Sequence, residues 1–402
     1  MGRVGAVTFR PMATRTGLDR LVAQDFAPLK GRAIGVVCNQ ASVALDLRHI
    51  TEHLMPLHGQ SQLKVAALFG PQHGLWGHTQ DNMIEWEGGE GREGIPVYSL
   101  YGEHREPTDD MLRGVELLVI DLQDVGARYY TFIWTMALCL KACERLGTQV
   151  LVLDRPNPLN GQTVQGTVLE EAFASFVGLF PLPIRHGMTI GEVAVLLQQR
   201  HFPSARVEVV RMEGWDRSMY FDQTGLPWAM PSPNMPTPDT AIVYPGGCLI
   251  EGTKLSEGRG TTRPFEIFGA PYVDGWELSR ALNEIALPGA HFRPVQFQPT
   301  FHKFVGEICE GGFLHVTDRS TFDPVLAYAA AFQEIVRRWR DRFEWRDPPY
   351  EYEYRLPPID ILAGNSWLRQ AVERLEPLDQ IQERMRSECD AFAEARQAAL
   401  LY

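Results

Sequence analysis

No stretch approaches the ~18 consecutive apolar residues of a membrane-spanning helix, so none is expected. No run of lysine and arginine occurs either. Thirty-eight basic residues face 50 acidic ones, for a formal net charge of −12. An acidic chain repels phosphate backbones and anionic lipid, so neither nucleic acid nor membrane is an expected partner. Cysteine is sparse: Cys38, Cys139, Cys143, Cys248, Cys309 and Cys389 are scattered, mostly in apolar stretches. They read as small buried thiols rather than as a disulfide framework or metal site. The N-terminus has arginines but no apolar run that would make a leader, which by default gives a cytoplasmic expectation; secretion or periplasmic residence stays open if the true start differs.

Signature motifs are missing too. There is no G-x-x-x-x-G-K-[ST], no G-x-S-x-G and no H-E-x-x-H. Gly89–Gly94 fits G-x-G-x-x-G, but it follows an acidic stretch and precedes a strand, the reverse of a dinucleotide-binding context. His73 and His78 are five apart, an awkward spacing for one helix face.

What is present is an ordinary globular composition over 402 residues, 45% hydrophobic and 22% charged, enough for two or three domains. Residues 1–16 read as a loose arm. From about Gly17 strands alternate with helices. Arg32–Cys38, Leu63–Phe69, Val97–Leu100, Val115–Leu122 and Gln149–Leu153 read as strands. His49–His58, Thr108–Gly114, Tyr130–Leu146 and Thr189–Gln199 read as helices, the last with a Thr189/Glu192 capping box. Continuous Val/Ile/Leu runs imply parallel strands covered on both faces. The expected fold is therefore α/β: a doubly wound, mostly parallel sheet followed by a second α/β region.

The divisions expected are residues 17–226, a Pro-rich connection at 227–247, and 248–402. Six prolines between Leu226 and Gly247 argue against a helix or central strand there. Because Trp228, Ser232, Asn234, Asp239 and Tyr244 lie in it, this stretch reads as an ordered loop lining a cleft. Beyond it Gly275–Ala286 and Asp323–Trp339 read as helices and Val295–Gln298 and Phe313–Val316 as strands. Pro357–Leu362 leads into a charged helix over Ser366–Leu400.

Ligands of open parallel sheets bind beyond the carboxyl ends of the strands. Here four strands end in polar clusters: Asn39-Gln40; Gly70-Pro71-Gln72-His73-Gly74; Asp121 to Tyr130, with Gln123, Asp124 and Arg128; and Asp154-Arg155-Pro156-Asn157. Each has a bland reading as a cap or turn, but together they predict one functional rim. A second cluster, Glu251-Gly252-Thr253 and Ser256 to Thr262 with Glu257 and Arg259, lies past the Pro-rich stretch. Carboxylates, amides, arginines and aromatic rings without a cofactor motif suit a sugar, with Trp76, Trp228 or Tyr130 available to stack on a ring. Glycoside hydrolysis typically needs two carboxyl groups, one protonated and one ionised. The residues alone reach as far as a polar-ligand hydrolase or binder.

GPQHG (70–74), SLYG (99–102), DLQDVGARYYTFIWTM (121–136), LDRPNPLNG (153–161), RHGMTIGE (185–192), PSPNMPTPDTAIVYPGG (231–247), EGTKLSEGRGTTRPFE (251–266) and GAP (269–271) resemble the NamZ-type exo-β-N-acetylmuramidases over nearly the whole chain. The resemblance implies a Rossmann-like N-terminal domain and a smaller C-terminal α/β domain with the active cleft between them, and release of terminal N-acetylmuramic acid from the non-reducing ends of peptidoglycan fragments. It implies no metal or nucleotide. Arg128, Arg155, Arg185 and Arg259 become candidates for gripping the lactyl carboxylate. Glu251, Glu257, Asp121 and Asp124 become candidate catalytic carboxylates, with His73 orienting or donating. Asn39, Gln123, Tyr130, Asp154, Asn157, His186, Ser232 and Asn234 become candidate sugar contacts.

Family members often read G-P-E-H-G and V-E-G where this chain has Gln72 and Gln165. An amide cannot protonate a leaving oxygen. Either the acid comes from elsewhere, with Asp81, Glu85, Glu251 or Glu257 as substitutes, or the substrate differs, or the protein binds glycan without cleaving it. An acetamido group acting as internal nucleophile would lower the need to one acid.

Overall fold

The computed structural model describes residues 13–402. A seven-stranded sheet is built from β1 (Ala33–Cys38), β2 (Lys64–Gly70), β3 (Gly89–Glu90), β4 (Pro96–Ser99), β5 (Leu117–Asp121), β6 (Gln149–Leu153) and, beyond the hairpin β7 (Gln165–Val168) and β8 (Pro183–Arg185), β9 (Arg206–Val210). Its order is β3-β4-β2-β1-β5-β6-β9. Every pairing is parallel except the short β3–β4 edge. A second, three-stranded antiparallel sheet has the order β10 (Ile267–Ala270), β12 (Cys309–Val316), β11 (Ala290–Phe297).

Ten α-helices complete the described chain: α1 (Gly17–Ala23), α2 (Ile50–Gly59), α3 (Phe132–Leu146), α4 (Ile190–Arg200), α5 (Pro238–Gly247), α6 (Gly275–Glu284), α7 (Pro324–Trp339), α8 (Pro358–Ala363), α9 (Trp367–Glu373) and α10 (Leu378–Ala395). None is long and apolar enough to cross a membrane.

The buried strand runs explain the layering. Leu18, Leu21, Ile50 and Leu54 of α1 and α2 cover one face, packing with Ile34, Val36 and Val119. On the other face Val37, Leu118 and Ile120 join Trp134 and Ile133 of α3 and Val193 and Leu197 of α4. That second core is continuous with Phe268, Tyr328 and Phe332 of the C-terminal half, so apolar burial ties the halves together. α5 lies close on α7: a Cβ added to Gly246 would come 2.0 Å from the Pro324 carbonyl oxygen.

Three local expectations fail for identifiable reasons, and a fourth falls largely outside the described residues. Residues 109–114 form turns rather than a helix, and Gly114, with a φ of +76°, ends the segment just before β5. The Pro-rich stretch ends in a helix, α5. Pro238 sits in its first turn, where the missing N–H has no partner to lose, and Pro245 falls in its last turn, before a 3₁₀ turn at Cys248–Gly252. The single helix expected over 366–400 is split into α9 and α10, because Pro377 cannot continue the first and instead precedes the second. The expected arm falls largely outside the described residues, but its end is anchored: Thr14 N and Arg15 N donate to Thr224 O and Glu213 O, and Thr16 caps α1 through a box with Asp19.

Candidate active site

The doubly wound order reverses between β1 and β5, where a ligand crevice is the default expectation. In this chain side-chain pairs take up most of that point, and a small recess lined by Thr16, Ala41, Gln123 and Arg155 remains beside them. Asp121, the last residue of β5, takes two hydrogen bonds from Arg155, Nε at 2.6 Å and Nη2 at 2.9 Å, and both residues are buried. Asn39 donates to Pro231 O and accepts from Ala41 N, pinning the Pro-rich segment over the strand ends. Gln123 donates to Asp124 O and Pro156 O.

A second hollow, which gathers more of the candidate residues, lies to one side, toward β2. It is narrow and partly open, and it draws on both halves of the chain. The turn after β2 supplies Gln72 and His73, and Asn82 follows. The turn after β5 supplies Tyr129, Tyr130 and Thr131, the Pro-rich segment Ser232 and Asn234, and the C-terminal half Tyr244, Glu251, Arg259, Tyr350 and Glu351. The β5 turn depends on Gly126, whose φ of +78° suits glycine and whose Cβ would strike Asn157 Oδ1 at 2.4 Å. Asp124 closes that turn by accepting from Gly126 N at 2.7 Å.

Eight residues singled out from the sequence therefore meet: Gln72, His73, Tyr130, Ser232, Asn234, Tyr244, Glu251 and Arg259. Glu251 Oε1 accepts from Arg259 Nη2 at 2.7 Å, while its Oε2 accepts from Asn82 and the Tyr350 hydroxyl, each at 2.6 Å. Arg259 is 6% exposed, and its Nε and Nη1 have no hydrogen-bond partner. Burial works against its charge, but Glu251, Glu257 and Asp81 outweigh that and hold the guanidinium above its usual range. The Asp81 carboxylate is 3.8 Å away.

His73 Nδ1 lies 2.8 Å from the Thr79 carbonyl, which only accepts, so Nδ1 carries the proton and Nε2 is left as an acceptor. Burial depresses this imidazole to about 4, keeping it neutral. Tyr130 is buried with its hydroxyl unpartnered, beside Ser232, and burial raises its pKa. Asn234 donates to Gln80 O at 2.7 Å.

The carboxyl group that sequence reasoning missed is Glu351. It is 2% exposed. Its Oε1 accepts from Gln72 Nε2 at 3.1 Å and its Oε2 from the Tyr101 hydroxyl at 2.8 Å. Gln72 is oriented in turn by Thr131 Oγ1, which donates to its Oε1 at 2.8 Å. Burial is the main cause that pushes Glu351 up to about 7; neighbouring Glu251 adds to it, and the two donors oppose it. The backbone is left-handed at His73 (φ 72°), Phe265 (φ 65°), Glu351 (φ 45°) and Tyr352 (φ 67°). Non-glycine residues in that region cluster at functional sites.

The other candidates lie outside the hollow. Glu257 is fully buried behind Arg259, 2.9 Å from Lys303 Nζ and 3.0 Å from His302 Nδ1. Burial opposes its charge, but Lys303, His302 and Arg259 hold it far below the usual carboxylate range. Arg128 spends its guanidinium on the carbonyls of Thr167, Leu182 and Leu362, and Arg185 spends its own on Gln165 and the Leu159 carbonyl. Asp154 joins sheet to C-terminus, accepting from Thr189 Oγ1, Gly191 N and the Tyr402 hydroxyl; burial raises it to about 6. Asn157 braces the turn between Met188 O and Leu159 N. His186 is fully buried, with Nε2 3.3 Å from Asp124.

Glu85 sits against Tyr352. Trp228 donates to Met235 O and packs edge-on against Phe221. Trp76, 59% exposed, lines a larger open groove between α2 and the β3–β4 edge. That groove contains none of the clustered carboxyl and amide groups.

The hollow thus offers two carboxyl groups, one guanidinium with open donors, a neutral imidazole, amides, hydroxyls and aromatic faces. Such a set can bind a hydroxyl-rich, anionic ligand and exchange protons with it.

Comparison with known proteins agrees with this chemistry. Residues 34–239 match the family model of the N-terminal part of the exo-beta-N-acetylmuramidase NamZ, and residues 242–402 match that of its C-terminal part. The chain is 41% identical over 395 residues to the peptidoglycan beta-N-acetylmuramidase NamZ of Bacillus subtilis (strain 168), covering 98% of this chain and 93% of that protein. Two crystal structures of DUF1343 family proteins from Bacteroides fragilis NCTC 9343 superpose on it. One has a TM-score of 0.85 at 31% identity, the other 0.74 at 26%, and each comparison covers 97% of this chain and 99% of the other. The chain belongs to the exo-beta-N-acetylmuramidase NamZ family.

Proposed function

We propose that this protein is a glycoside hydrolase that releases N-acetylmuramic acid from the non-reducing ends of peptidoglycan fragments. One observation carries the reading: a single hollow, built from both family-matched halves, sets a guanidinium and two carboxyl groups among amides, hydroxyls and aromatic rings. Of the four arginines considered for the lactyl carboxylate, Arg259 is the one that lines this hollow; its Nη2 donates to Glu251, its Nε faces buried Glu257 at 3.4 Å, and its Nη1 makes no hydrogen bond. A guanidinium N–H can donate a charge-assisted hydrogen bond to a carboxylate.

We assign the acetamido group and ring hydroxyls to Asn82, Asn234, Ser232, Tyr130 and His73, whose atoms face the same space. Glu251 is a positioning residue, because its oxygens already accept from three side chains. Asp121, Arg155, Asn39, Asp124 and Asn157 fix the loops on which these contacts stand. The six free, buried thiols suit a reducing compartment, and a cytoplasmic site of action on imported fragments is part of this proposal.

The test is incubation with a disaccharide bearing N-acetylmuramic acid at its non-reducing end, read by mass spectrometry. Free N-acetylmuramic acid is expected. Binding without cleavage by folded protein would make it a glycan receptor instead.

A further inference from the structure

We propose that Glu351 is the proton donor to the departing sugar oxygen, oriented for that task by the Gln72 amide and the Tyr101 hydroxyl. The inference rests on the hydrolase reading above and assigns an acid to a cleft whose nearest loop carries glutamine at position 72. Geometry comes first. Glu351 lines the hollow, and each of its oxygens is held by one fixed donor, at 3.1 Å and 2.8 Å. Gln72 cannot swing away, because Thr131 holds its carbonyl end. A carboxyl oxygen has two lone-pair directions, so the oxygen that accepts from Gln72 can still carry a proton aimed at the sugar.

Glu251 is a poorer acid, being paired with Arg259 and accepting from Asn82 and Tyr350. His73 is a poorer one too, since its only proton is committed to Thr79 O. The groups facing Glu351 are Tyr101, Gln72, Glu251, Arg259 and its chain neighbours Tyr350 and Tyr352. Both tyrosine neighbours titrate far above neutrality because burial raises them. Burial of Glu351 itself keeps a large share of it protonated near pH 7.

The step balances over one turnover. The bond between C1 and the bridging oxygen breaks, its electron pair stays on that oxygen, and the oxygen takes the Glu351 proton. Water supplies a hydroxyl to C1, and its other proton is returned through solvent or directly to the Glu351 carboxylate.

The experiment compares wild type with Glu351→Gln on two muramides. One has a sugar leaving group, which needs a proton; the other has 2,4-dinitrophenolate, which leaves without one. The variant is expected to lose at least ~100-fold in kcat on the first and under ~5-fold on the second. The alkaline fall of kcat on the sugar substrate, centred near pH 7 in wild type, should be absent from the residual activity. Equal losses on both substrates, or no loss, would overturn the assignment while leaving the hydrolase reading intact. A wild type inactive on both would overturn that reading and this one with it.

Discussion

Glu257→Gln probes the division between groups that touch substrate and groups that hold the hollow in shape. Glu257 is fully buried and faces Lys303, His302 and Arg259 at 2.9, 3.0 and 3.4 Å. Lys303 also donates to the Ile250 and Leu255 carbonyls, so it cannot retreat to solvent when its carboxylate is removed. Breaking a buried ion pair by deleting one partner costs about 3–5 kcal/mol. Unfolding entropy of about 2.1 cal/mol/K per residue gives about 0.8 kcal/mol/K for a chain this long. The substitution should therefore lower Tm by about 4–6 °C at pH 7.

The sign with pH follows from the lowered carboxylate. The stabilisation is present above the unfolded value of about 4.5 and is lost as pH falls toward the depressed folded value. The gap in Tm between wild type and variant should then narrow below about pH 4.5. Differential scanning calorimetry at several pH values measures this, and initial rates on a muramide measure the rest. Loss of kcat should stay within about tenfold, through a less well placed Arg259. A variant with unchanged Tm and a thousandfold loss of kcat would refute the reasoning and restore Glu257 as a catalytic carboxylate.

Two further outcomes follow from the same charges. Arg259→Lys keeps the charge but loses the planar guanidinium that Glu251 holds in place, so KM for a muramide should rise about 10–100-fold, and KM for the matching glucosaminide, which lacks the lactyl carboxylate, should rise much less. Equal rises in steady-state assays would remove Arg259 from carboxylate recognition. Glu351, raised from 4.5 to about 7 by burial, binds its proton more tightly folded than unfolded. Wild type should thus lose about 3 kcal/mol of stability relative to Glu351→Gln as pH rises from about 4.5 to 7. Denaturant titrations across that range check it, and parallel curves for the two proteins would contradict the buried, protonated carboxyl.

Much of the architecture could be read from residue patterns, because buried parallel strands leave unbroken Val/Ile/Leu runs. Gln149–Leu153 coincides with β6, and the Thr189/Glu192 capping box opens α4 as expected. Proline was read too strictly at 238 and 245 and too loosely at 377; its effect depends on position within the turn, which composition does not reveal. Polar residues at strand ends do gather in space, but the pattern does not say which line a hollow and which hold loops. Gln72 and Tyr130 reach the hollow; Asp121 and Arg155 neutralise each other, and Arg128 spends its donors on carbonyls. Glu351 went unnoticed because it lies 279 residues from Gln72 and its segment, PPYEYEYR, reads like a solvated turn. The usable signal was a glutamate flanked by tyrosines just after paired prolines, a polar group too well shielded by aromatics for an ordinary surface turn.

A crystal structure with N-acetylmuramic acid bound tests the assignment of the hollow most directly. The sugar should lie between the Gln72 and Arg259 sides, with its lactyl carboxylate about 3 Å from Arg259 and its anomeric oxygen facing Glu351. Density for the sugar in the open groove beside Trp76, with the hollow unoccupied, would contradict it.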